Sequence, residues 1–158
     1  MIQKILKVNY KWFNRYEFRS EGKLMGWWID NLLPGLFFGY PYSAVVNNKN
    51  FKFKETPGHV WLIKNELGEA MGSNIFGPAE LIRTGQGVLN YKNQKFTFQF
   101  GKVGLYKLAK TITLKDASNN EVLVINKKTL NRIPDEILYM NEMEDAIILS
   151  MFLMIFYN

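Results

Sequence analysis

Lys49, Lys52 and Lys54 alternate with Phe51 and Phe53 in NKNFKFK, and Lys92 and Lys95 accompany Phe96 and Phe98 in YKNQKFTF. Successive side chains on a β-strand point to opposite faces, so lysines are expected on one face and phenylalanines on the other. Grouped cations of this kind suit an anionic ligand such as a phospholipid headgroup if several converge, although lysines on a strand ordinarily confer solubility and guard edges. A second stretch, WWIDNLLPGLFFGYPY, is richer in rings than a segment with two prolines needs to be. Most of its aromatic residues are expected to fill or cap the core. Any left outside, with Trp27, Trp28, Phe37 and Phe38 as the candidates, form a patch suited to a membrane interface or a protein partner, including a second copy of the chain.

Catalytic material is scarce. His59 is the sole histidine and opens a predicted strand, where a structural or surface role is expected. With no cysteine in the chain, disulfides, thiolate metal sites and cysteine nucleophiles are excluded. DASNNE begins like a calcium loop, yet Glu121 stands where the turn needs Gly and Lys127 where the bidentate Glu belongs. RTGQGV lacks the Lys-Ser/Thr of a phosphate loop, and no G-x-S-x-G elbow occurs. The acidic group Asp135, Glu136, Glu142, Glu144 and Asp145 reads as a solvated approach to a helix, since negative charge suits its positive end. Neither an enzyme nor a cofactor is expected.

The elements that position these residues read as hairpins. At 158 residues the chain fits one domain, and 15% aromatic residues suit half-buried strands. A formal charge of +6 favours anionic partners, among which nucleic acid has no recognisable motif here. The N-terminal stretch is charged and alternating, unlike a signal peptide, so a cytoplasmic protein is expected. From position 2 to about 128, short period-two segments separated by Gly, Asn, Asp and Pro predict strands near 2–8, 11–19, 23–29, 36–40, 44–47, 50–55, 59–64, 69–75, 79–84, 87–91, 95–100, 103–108, 111–115 and 121–126, several of which must merge or vanish. GKLMGWWI and GEAMGSNI share Gly, Met, Gly and Ile, and the F-x-F strands follow each in the same order. The spacing between copies is 46 residues at Gly22/Gly68 and 45 at Phe51/Phe96, which predicts one antiparallel meander used twice, with a shortened third version in TITLKDASNNEVLVI.

The tail DAIILSMFLMIFYN has no polar helical face, so a helix there must be buried on all sides. Its apolar run is too short to span a bilayer. An open sheet covers a helix on one side only, whereas a closed barrel of eleven or more strands is wide enough to surround one. The expectation is therefore a mainly β, single-domain protein spanning 1–158: a closed antiparallel barrel of about twelve strands enclosing an apolar helix over about 143–157.

The paired glycine-turn strands, the FKF and FTF strands after Asn-rich turns, and the terminal EDAIILSMFLMIF together resemble the tubby C-terminal-like superfamily, which includes tubby proteins, phospholipid scramblases and LURP-one-related proteins. In that family an acidic residue followed by an apolar run forms the helix inside a twelve-stranded barrel. The resemblance implies a non-enzymatic protein peripheral to a membrane, bound to phospholipid through Lys and Arg, at the inner face of the cytoplasmic membrane. No binding motif of the family maps residue by residue onto this chain, and the Pro-rich leader and cysteine cluster of scramblases are missing.

Overall fold

Apolar side chains at every second position drive twelve strands: β1 (Gln3–Lys11), β2 (Arg15–Ser20), β3 (Lys23–Asp30), β4 (Tyr42–Val46), β5 (Lys49–Thr56), β6 (Val60–Lys64), β7 (Ala70–Asn74), β8 (Gln86–Tyr91), β9 (Gln94–Phe100), β10 (Thr111–Lys115), β11 (Glu121–Asn126) and β12 (Glu136–Met140). The computed structural model describes residues 3–11, 15–30, 42–58, 60–74, 83–101, 111–126, 136–140, 143 and 145–155. Each strand pairs antiparallel with its sequence neighbours, and β1 closes the ring on β12 with Leu6 opposite Ile137. Leu6, Phe18, Phe53, Ile63, Phe98 and Ile125 point inward and are at most 1% exposed.

The helix α1 (Ala146–Met154) occupies the interior. All nine of its residues are buried, as the absence of a polar face demands. Even Ser150 is wholly enclosed, its hydroxyl donating to the Ala146 carbonyl at 2.6 Å. The Phe152 ring lies 6.4 Å from that of Phe53 on the surrounding wall. Among the described residues no helix is long and apolar enough to cross a membrane.

The ring consists of three units of four strands: β2–β5, β6–β9, and β10–β12 completed by β1. In each unit the first pair of strands slips register at one place, between Phe18 and Arg19, between Ile63 and Lys64, and between Leu114 and Lys115. The residue left unopposed is Met25, Met71 or Val122, a bulge that bends the wall. Gly26 and Gly72 follow it in the first two units, and a Cβ there would come within 2.6 Å of the Val45 carbonyl oxygen or 2.7 Å of that of Asn90. The third unit carries Leu123, opposite Tyr139, at the corresponding place.

Turns repeat as well. Asn47–Asn48 and Lys92–Asn93 both adopt positive φ, the signature of a two-residue hairpin whose twist matches its strands. In the third unit no such turn joins β12 to β1; the chain leaves β12 and turns inward to become α1.

The sequence expectation missed β12, because Glu136 was grouped with the acidic approach to the helix. Glu136 instead begins that strand, opposite Lys7 on one side and Asn126 on the other. The segments expected at 36–40 and 103–108, and most of 79–84, lie outside the described residues.

Candidate anion-binding wall

On β1, Leu6 and Val8 face the core, which turns Lys7, Asn9 and Lys11 outward. On β2, inward Phe18 likewise sets Arg15, Glu17 and Arg19 on the outer face. The register places Lys7 opposite Arg19 and Lys11 opposite Arg15. Like charges directly opposed are unfavourable. Glu17 relieves part of this repulsion, its Oε1 lying 3.2 Å from Arg15 Nη2 and its Oε2 accepting from Arg19 Nη2 at 2.9 Å and Nε at 3.2 Å. The carboxylate is only 8% exposed beneath the two guanidiniums. Arg15 also lies 4.5 Å over the ring of Trp27, and its Nε is buried without a hydrogen-bond partner.

The outer row continues around the wall. Arg15 is opposite Ile29, Ile29 opposite Ser43, Ser43 opposite Lys52, and Lys52 opposite Lys64. Five strand spacings of about 4.8 Å separate Lys11 from Lys64, or about 24 Å along the surface. Between the two cationic flanks lies a shallow cleft of ≈ 310 Å³, bordered by Trp27, Ile29, Val45 and Lys52, with the acidic Glu66 also in its lining. The result is a half-buried aromatic and aliphatic strip with opposed cation pairs on either side.

Only Lys52 and Lys54 of the lysines anticipated from sequence belong to this wall. Lys95 faces outward from β9, opposite Asn90 and on another sector of the ring. Lys49 corrects the expectation that it shares a face with Lys52 and Lys54. It has the parity of buried Phe51 and Phe53, is opposite buried Val46, and lines the mouth of the barrel where α1 enters. Lys92 is at that mouth too, its Nζ 2.7 Å from the Asp145 carboxylate and 5.6 Å from the Tyr91 ring centre. Burial, and then the charge of Asp145 beside it, push the Tyr91 phenol well above its usual range.

Trp28 is a second correction. It faces inward and is 0% exposed, stacked 5.0 Å from Tyr42 and tilted against Tyr16 at 5.0 Å, so it fills the barrel and belongs to no surface patch. Adjacent strand residues face opposite ways, which leaves Trp27 outside. Phe37, Phe38 and His59 lie outside the described residues, as do Asp135, Glu142 and Glu144. Asp116 closes a turn, accepting from the backbone N–H groups of Ser118 and Asn120 at 2.9 Å each. Among the described residues no three metal-ligating side chains come together.

Lys7, Lys11, Arg15 and Arg19 were overlooked as a group, although they recur every four residues, a spacing that keeps them on one face of a strand. Their meeting across two strands required the β1–β2 hairpin. Comparison of the chain with models of protein families, with curated proteins and with solved structures finds no match.

Proposed function

We propose that this is a tubby-like, non-enzymatic barrel that docks reversibly on an anionic phospholipid surface from the cytoplasmic side. The observation that carries this reading is the outer row in which Lys11–Arg15 and Lys52–Lys64 flank Ile29 and Ser43, with Trp27 two residues along β3 on the same face. Directly opposed cations oppose folding in water but are relieved by a surface of negative charge, where each is worth about 1 kcal/mol. An indole between them suits the headgroup level of a bilayer, where one edge is wet and the other apolar. The closed ring around a buried helix agrees with the architecture that the family resemblance implies.

Co-sedimentation with vesicles of phosphatidylcholine, alone or mixed with phosphatidylserine, tests the proposal. Binding is expected to require the anionic lipid and to weaken as salt rises. The triple charge reversal Lys11→Glu, Lys52→Glu, Lys64→Glu is expected to reduce it by a factor of a hundred or more, from about 1 kcal/mol per cation. Binding that ignores lipid charge would defeat the reading.

A further inference from the structure

At the mouth where α1 enters, the turns β4–β5 and β6–β7 enclose a cleft of ≈ 350 Å³ against the helix. That volume lies at the lower end of the range for small-molecule sites, about 300–1,000 Å³. Its floor is apolar, with Val46, Phe51 and Ile148 all at most 5% exposed. Lys49 and Glu66 line it as well, and neither has an ion pair among the described residues. The other two charged groups of the lining, Lys92 and Asp145, neutralise each other at 2.7 Å. Leu67 borders the same cleft with 78% of its surface exposed, the largest value among the exposed large hydrophobic residues described.

The repeated architecture distinguishes what the turn needs from what it displays. Asn65 Oδ1 accepts from the N–H groups of Leu67 and Glu69, as Asp116 Oδ1 accepts from Ser118 and Asn120 in the third unit. Gly68 and Asn119 take the same left-handed conformation. The two turns are thus built alike, yet the tip that reads Glu66-Leu67 in one reads Ala117-Ser118 in the other. Turn formation does not require a carboxylate and an exposed leucine at these places. Likewise, the position of Lys49 is filled by Gln94 in the second unit, each opposite the last residue of the preceding strand.

We propose that this cleft binds a free α-amino acid with a large apolar side chain. Lys49 receives its carboxylate, Glu66 its ammonium group, and Phe51, Leu67 and Ile148 its side chain. One unpaired cation and one unpaired anion above an apolar floor complement a zwitterion, whereas a simple anion would meet Glu66 and a simple cation Lys49. The neighbouring Lys92–Asp145 pair leaves the balance of charge unchanged.

Titration of the ¹⁵N-labelled protein with L-leucine, glycine, N-acetyl-L-leucine and L-leucinamide, followed by amide shifts, tests this assignment. L-Leucine is expected to saturate shifts at Glu66 and Leu67. The other three, each lacking the apolar body or one charge, should bind about tenfold more weakly. Lys49→Met and Glu66→Gln should each lower the affinity for L-leucine by about the same factor. Lys115→Met, on β10 in the third unit, should not. Both substituted side chains are exposed, so undisturbed spectra elsewhere will establish that the variants fold. The assignment is overturned by the lack of saturable shifts at the mouth, by equal binding of L-leucine and N-acetyl-L-leucine, or by indifference to both substitutions. Vesicle binding by the wall is a separate measurement and survives any of these outcomes.

Discussion

The units β2–β5 and β6–β9 have one skeleton and two surfaces. Phe51 and Phe53 correspond to Phe96 and Phe98, all buried, and the bulge, the close-approach glycine and the two-residue turn coincide. Outside, the correspondence ends: Trp27 is matched by Ser73, Val45 by Asn90, Lys52 by Thr97 and Lys54 by Gln99. Positions that bend or close the wall are common to the units, whereas those that meet solvent differ. The cationic strip belongs to the first unit and its neighbours, whereas a groove of ≈ 550 Å³ along β8–β10 is bordered mainly by neutral residues such as Gln86, Thr97, Gln99 and Thr113, with Lys115 its one charged residue among those described. A feature present in one unit and missing from its twin is therefore the better candidate for a function.

If the skeleton is common, removing the same ring from either unit should do equal harm. Phe53→Ala and Phe98→Ala, each opening a cavity at a fully buried position, are expected to lower the unfolding free energy by about 3–5 kcal/mol. Urea denaturation checks both the size of the loss and its equality between units. A smaller effect, about 1–3 kcal/mol, is expected for Gly26→Ala and for Gly72→Ala, since the new methyl group would press on a neighbouring strand's carbonyl. Unequal losses here would show that the two approaches differ in tightness.

The smallest effect separates the second and third units. Hydrogen bonds from Asn120, through its backbone and then its side chain, and from the Ser118 N–H hold the Asp116 carboxyl below its usual 3.8. Because the folded value is depressed, this stabilisation is present above 3.8 and is lost as the pH falls through the folded value. Asn65, its counterpart, does not titrate. Asp116→Asn should thus remove a slight acid sensitivity, visible as a smaller drop in melting temperature between neutral and acidic buffer. An unchanged drop would place that sensitivity elsewhere.

Much of the architecture was legible because a single pattern admits a single solution: a helix with no polar side, Ala146–Met154, needs walls all around it. The repeat was legible from Gly22/Gly68 and Phe51/Phe96 because such positions are constrained by backbone geometry. β12 escaped because EILYM follows Asp135 and begins with Glu136, whose charges read equally well as a helix approach. The cationic wall was only half legible. Lys52 and Lys54 lie on one strand, but their neighbours Lys11, Arg15 and Lys64 arrive through pairing, which local spacing does not encode. Lys49 was misplaced by parity alone, one residue sufficing to turn a side chain from wall to mouth.

Since α1 follows all twelve strands in the chain, the centre of the core is synthesised after the walls that surround it. Until Ala146–Met154 emerges, the inward phenylalanines have nothing to close upon, and the seam between β1 and β12 joins segments some 130 residues apart. A nascent chain therefore holds a long, greasy, unzipped ribbon, slow to close and prone to stick to others of its kind. Its assembly is best pictured as a sleeve wrapped around a late-arriving rod.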